Sequence, residues 1–150
     1  MARVICDETF CSGCLACVVA CLDHHYDETE ADAISPRIHE KWTSPRTGLV
    51  RYKTRSCLHC KKAKCMEVCP VGAFTRTASG FVVASREACI GCGACANVCT
   101  FDVPRFDKDG KIVKCDGCYQ RVEAGLKPAC VKVCNTGALH LGGNHEWKNH

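Results

Sequence analysis

The chain is poor in aromatic residues, which make up 7% of its 150 positions. It has no apolar run approaching the roughly 20 residues needed to span a bilayer. The longest, Leu15 to Leu22, is interrupted by Cys17 and Cys21. The first residues, Met1-Ala2-Arg3-Val4-Ile5, contain neither an apolar signal core nor a twin arginine. No Gly-rich nucleotide loop is present, because Gly91-x-Gly93 lies inside a cysteine loop. These absences argue against membrane insertion, a secretory leader and a nucleotide-dependent enzyme, and the expectation is a cytoplasmic protein. A chain of this length is one domain, 1–150. Cysteine is counted within the 47% hydrophobic content, so the aliphatic and aromatic core is smaller than that figure suggests. A chain with so little core needs covalent or metal staples.

Cysteine is what the chain has in excess, with 17 residues. Cys11, Cys14, Cys17 and Cys21 are spaced C-x2-C-x2-C-x3-C, and Cys89, Cys92, Cys95 and Cys99 repeat that spacing. Cys57, Cys60, Cys65 and Cys69 read C-x2-C-x4-C-x3-C, with Pro70 next. Cys115, Cys118, Cys130 and Cys134 read C-x2-C-x11-C-x3-C. The four quartets leave over only Cys6, which reads as a small buried or edge residue. A cubane iron–sulfur cluster needs thiolates at separated corners, and a tight loop reaches three of them. The cysteine three residues further on starts a helix that leads away, and in two-cluster ferredoxins it ligates the other cluster.

Disulfides and zinc are the competing readings. Disulfides require an oxidising compartment, and an odd count on C-x2-C loops is a poor framework for them. Zinc takes two cysteines from each of two knuckles, whereas Cys11/Cys14/Cys17 and Cys89/Cys92/Cys95 put three on one loop. The expectation is therefore four [4Fe–4S] clusters that act as the core, with an apoprotein that is largely unfolded. The formal charge of +4 then has a simple meaning. Four oxidised cubanes with their thiolates contribute about −8 relative to neutral thiols, so the basic excess offsets cluster charge and is not a nucleic-acid footprint.

Along the chain, Arg3 to Ile5 reads as a strand and Leu15 to Leu22 as a short helix. Asp23, Asp27, Glu28, Glu30 and Asp32 form an acidic surface around His24 and His25, with partner docking as the functional alternative. Both histidines could ligate iron, but the quartets leave no vacancy. Ile34 to His39 and Leu49 to Thr54 read as two strands, joined through Trp42 to Gly48 and covering one cluster. Trp42 reads as a packing residue. Phe74–Thr77 with Phe81–Ala84, and Pro104–Asp107 with Lys111–Lys114, form two further hairpins. Val71-Gly72-Ala73-Phe74 after Cys69 matches Thr136-Gly137-Ala138-Leu139 after Cys134, an internal repeat. Lys61, Lys62, Lys64 and His59 read as local neutralisation of cluster charge. The plan is α+β, small and loop-rich with short helices and β-hairpins: a duplicated, interleaved bacterial 2[4Fe-4S] ferredoxin-like fold. One half is about 1–30 with 105–150, the other about 54–104, with a hairpin insertion at about 33–55.

From about Val4 to about Leu141 the four motifs in this order resemble the four-cluster iron–sulfur subunits of molybdenum or tungsten pterin oxidoreductases. Formate dehydrogenase and dimethyl sulfoxide reductase have such subunits, and small subunits of tungsten aldehyde oxidoreductases are related. The resemblance implies crossed ligation. Cys11, Cys14 and Cys17 would share a cluster with Cys134, and Cys115, Cys118 and Cys130 one with Cys21. Cys57, Cys60 and Cys65 would pair with Cys99, and Cys89, Cys92 and Cys95 with Cys69. It further implies a non-catalytic electron-transfer role beside a catalytic pterin subunit. A flavin-containing subunit and self-association into a longer wire remain open as further partners. Cys21, Cys99 and Cys134 lack the proline that follows Cys69, and the chain lacks the C-terminal extension or membrane helix of some members. A free-standing polyferredoxin serving a carbon monoxide dehydrogenase or hydrogenase is the alternative, and an iron–sulfur sensor, for which one labile cluster would suffice, stands behind it.

Overall fold

A computed structural model describes residues 2–27, 29–30 and 32–142. Glu28 of the acidic segment and residues 143–150 of the outer half lie outside the described residues.

Thirteen short elements follow one another among the described residues. They are β1 Arg3–Cys6, α1 Ala16–His25, β2 Ile38–Thr43, β3 Val50–Arg55, α2 Lys64–Glu67, β4 Phe74–Arg76, β5 Val82–Ala84, α3 Ala94–Val98, β6 Arg105–Phe106, β7 Ile112–Val113, α4 Tyr119–Glu123, α5 Ala129–Val133 and β8 Leu139–Gly142. The strands make four separate antiparallel ribbons, β1–β8, β2–β3, β4–β5 and β6–β7. Three are local hairpins. The fourth joins the two ends of the described chain, with Val4 opposite Leu141 and Cys6 opposite Leu139. Helix α1 packs on α5, and α2 on α3.

The expected hairpins at residues 74–84 and 104–114 are present. Each is closed by a turn in which glycine supplies a left-handed residue, Gly80 at φ 90° and Gly110 at φ 70°. The insertion is also a hairpin, but its first strand begins at Ile38 and not at Ile34. Pro36 has no N–H to give a ladder, and Ser35, Pro36 and Arg37 are buried in a separate packing role. The strands then run past Trp42 to Thr43, and the turn closes with Ser44 N–H donating to Leu49 O at 2.8 Å. Trp42 is consequently 55% exposed near the tip, so the packing role expected for it is not found within this chain. Helix α1 runs three residues beyond the expected Leu22. It ends where the His25 ring bonds Cys21 O at 2.8 Å.

Burial is distributed over three small clusters. One gathers Ala63, Ala73, Phe74, Val82, Cys89, Cys95 and Ile112. The second gathers Val4, Cys17, Phe81, Cys130, Leu139 and Leu141, and the third Cys57, Val103 and Cys115. Cysteine belongs to each of them. The β4–β5 hairpin thus sends Phe81, which is fully buried, into the cluster around β1 and β8, and β7 sends Ile112 the other way.

Candidate metal centres

Four loops of the form Cys-x-x-Cys organise the molecule, and each turns through a left-handed residue just before its second cysteine. These residues are Gly13, His59, Gly91 and Gly117, at φ 72°, 48°, 71° and 75°. The turn aims backbone N–H groups at sulfur. His59 N–H lies 3.3 Å from Cys57 Sγ, Gly91 N–H 3.4 Å from Cys89 Sγ, and Gly117 N–H 3.3 Å from Cys115 Sγ. Such bonds stabilise sulfur in its anionic form, as a metal–thiolate centre requires. The internal repeat does the same for the fourth cysteines. Ala73 N–H reaches Cys69 Sγ at 3.3 Å. Burial works against ionisation of Cys134, yet hydrogen bonds from Thr136, Leu139 and Ala138 hold its thiol below the ordinary value.

The thiols converge in groups. One cavity is lined by Cys57, Cys60, Cys65 and Cys99, with Val103 and Lys114 beside them. Another is lined by Cys89, Cys92, Cys95 and Cys69, with Phe74 and Ile112. A third is lined by Cys11, Cys14, Cys17 and Cys134, with Thr54 of β3. The insertion hairpin therefore does cover one of the sites, and its Tyr52 ring lies so near Gly13 that a Cβ there would meet Tyr52 Cγ at 2.5 Å. The remaining four are neighbours too. Burial raises Cys115, which also feels Cys21 and Cys130. Cys118, likewise raised by burial, feels Cys115 and Cys130.

The donor chemistry fits metal. All 17 cysteines are free thiols in this structure. Burial pushes Cys115 and Cys118 up to about 12, so at neutral pH they do not ionise on their own. A coordinated cationic centre deprotonates such thiols outright. Three or four sulfurs in a small, mostly apolar cavity suit a soft iron–sulfur centre.

Cys6 is half-buried in β1 and sits beside Cys11, without lining the third cavity. The ligand atoms of His24, His25 and Cys118 come within 4.8 Å of one another. His25 is already engaged, however, with Nε2 2.9 Å from Asp116 Oδ1. Burial alone would lower His25, but its hydrogen bonds to Asp116 and Cys21 hold it at about 10. The acidic segment remains a surface, tied by Lys108 to Asp32 at 2.9 Å and by Arg86 to Glu30 at 3.7 Å.

Among the groups expected to neutralise local charge, His59 departs from that reading. Lys61, Lys62 and Lys64 are exposed, although Lys62 and Lys64 line the first cavity. His59 is buried at 1% exposure and does not neutralise anything. Its Nδ1 accepts the Val82 N–H at 3.0 Å, and burial pushes its pKa down to about 3. The cations set among the thiols are Lys114 and Arg37, which sequence reasoning passed over. Lys114 draws down Cys65 and Cys115 against burial, and Arg37 does so for Cys17 and Cys130.

Two family models match the chain, both described as a 4Fe-4S dicluster domain, over residues 49–144 and 10–73. Among curated proteins, a subunit of the anaerobic dimethyl sulfoxide reductase of Haemophilus influenzae is 39% identical over 89% of this chain and 69% of its own length. The nitrate-inducible formate dehydrogenase iron-sulfur subunit of Escherichia coli is 37% identical over 97% of this chain and 55% of its own length. The corresponding subunit of the Escherichia coli anaerobic dimethyl sulfoxide reductase is 36% identical over 91% of this chain and 70% of its own length. The chain thus spans about half to two-thirds of these relatives.

Proposed function

The chain belongs to the 4Fe-4S dicluster family, and on that premise we propose that it is an electron-transfer subunit relaying single electrons through four [4Fe–4S] clusters. When bound, each cluster takes up and gives back one electron. The chain supplies the sulfur ligands, the N–H donors that stabilise them and the apolar walls that limit water. Its relatives are named as a component of a dimethyl sulfoxide reductase and as the iron–sulfur subunit of a formate dehydrogenase. The catalytic chemistry then belongs to a partner subunit of the tungsten or molybdenum pterin type.

One observation carries the reading. Three cavities are each lined by three cysteines of one loop and a fourth from another run. It supports crossed ligation for three sets: Cys57, Cys60, Cys65 with Cys99; Cys89, Cys92, Cys95 with Cys69; and Cys11, Cys14, Cys17 with Cys134. The mutual influence of Cys115, Cys118, Cys130 and Cys21 supports the fourth. The arrangement also supports two interleaved halves, since β1 pairs with β8 and α1 packs on α5 across the whole length of the chain. Shared helices hold neighbouring centres at fixed separations, and a string of loose modules would not.

Anaerobic purification followed by iron and sulfide analysis tests the reading. About sixteen irons per chain are expected from the ligand arithmetic. About eight irons, or stoichiometric zinc, would overturn it. Affinity capture of the holoprotein should bring down a pterin-containing oxidoreductase, and capture of a DNA-binding protein would favour a sensor.

A further inference from the structure

Arg37 is 2% exposed, yet no carboxylate among the described residues pairs with it. Arg55, Arg86 and Lys108, by contrast, each have an acidic partner. The Arg37 guanidinium donates from Nη1 to Thr54 Oγ1 at 2.9 Å and from Nη2 to Ser56 Oγ at 3.3 Å. Both acceptors are neutral hydroxyls, and Nε has no partner. Arginine does not shed its proton in proteins, and an uncompensated buried cation is strongly disfavoured. The groups around it are thiols. Cys130, Cys115 and Cys17 all interact with it, and Cys17 Sγ lies 3.9 Å from the Thr54 hydroxyl that Arg37 holds. Cys17 lines one cavity, whereas Cys130 and Cys115 belong to the neighbouring group with Cys21.

We propose that Arg37 is the shared counter-charge of two clusters, the one held by Cys11, Cys14, Cys17 and Cys134 and the one held by Cys21, Cys115, Cys118 and Cys130. This inference rests on the four-cluster reading. The two clusters supply the anion that the fold otherwise denies this cation. In return, its fixed charge favours the more negative, reduced state of both and raises both potentials. Thr54 and Ser56 on and beside β3 hold the guanidinium in place, so the insertion hairpin positions the charge as well as covering a site. The central pair of centres lies outside this contact; one of them, lined by Cys57, Cys60, Cys65 and Cys99, has Lys114 beside it, and Lys114 also reaches Cys115.

The test is a potentiometric titration of the complete holoprotein followed by electron paramagnetic resonance, with iron counted in each sample. Arg37→Met removes the charge and keeps much of the volume; Arg37→Lys keeps the charge. In Arg37→Met, two of the four clusters should become harder to reduce by at least tenfold in equilibrium constant, which for one electron is about 59 mV. The other two should not shift, and Arg37→Lys should stay within tenfold of the unsubstituted protein throughout. With full iron, no shift in Arg37→Met, an equal shift of all four clusters, or an Arg37→Lys shift as large as that of Arg37→Met would overturn the assignment. If Arg37→Met loses two clusters, their retention in Arg37→Lys upholds a charge role, and their loss in both variants overturns it. An unsubstituted protein with fewer than about sixteen irons would instead defeat the four-cluster reading, and this inference with it.

Discussion

Three cysteine loops place glycine before their second cysteine and one places histidine, but all four adopt the same left-handed backbone. At Gly117 the requirement is doubled. A Cβ there would meet Phe81 Cδ1 at 2.2 Å, and the Phe81 ring is fully buried, edge-on to His59 at 4.9 Å between centroids. Gly117→Ala should therefore cost about 2–5 kcal/mol through overpacking and left-handed strain together. Gly93 has a similar φ of 75° but nothing within 4 Å of a built Cβ, so Gly93→Ala should cost only about 1–2 kcal/mol. The midpoint of anaerobic guanidinium-driven loss of cluster absorbance reports both, and equal midpoints would show that Phe81 can step aside. The glycines are visible in the amino-acid pattern. That His59 performs the same turn while its ring packs on Phe81 is not, because nothing local distinguishes it from a surface histidine.

Among the elements, the β2–β3 hairpin divides into two parts with different duties. Its tip exposes Trp42, Leu49 and Val50, and its base buries Thr54 and lays Tyr52 against the Cys11 loop. Trp42→Ala should leave iron content unchanged and shift stability by no more than about 0.5 kcal/mol, as for other exposed positions. Tyr52→Ala should open one site to solvent and oxidant. Under air, about four of the sixteen irons should then be lost faster than the rest, measured as iron retained against time. Uniform loss across all clusters would mean that the hairpin shields none of them in particular. The hairpin is legible in the alternation and turn residues around Gly48, but its register is not. Pro36 and the burial of Arg37 move the first strand four residues later than the apolar pattern suggests.

For the whole molecule, the aliphatic core is a set of small clusters, each containing cysteine, so most of the burial depends on the sites being filled. Stripping the clusters with acid or a chelator should abolish most far-ultraviolet ellipticity, since binding energy here is folding energy. A native-like spectrum in the apoprotein would contradict this. The two ends are tied by β1 against β8 and α1 against α5. Ending the chain before Cys130 removes α5 and β8 and should lower iron from about sixteen to about eight per chain, with the two central clusters retained. Loss of only about four irons would point to self-contained modules.

Cysteine spacing determined the cofactor class and the number of ligand groups, and apolar runs with their turn residues determined the positions of two hairpins, because ligand spacing and turn chemistry are properties of a few consecutive residues. The family resemblance, too, rests on that local pattern. Tertiary structure decided which run of cysteines faces which, since partners such as Cys11 and Cys134 meet only when the chain ends pair. It also decided which charges matter. Lys61, Lys62 and Lys64 lie within a cysteine motif and are exposed, so their field is screened by solvent even though Lys62 and Lys64 line the first cavity. Arg37 lies outside every cysteine motif of the chain, yet it is buried and interacts with thiols of two groups, where a charge is screened much less than at the surface.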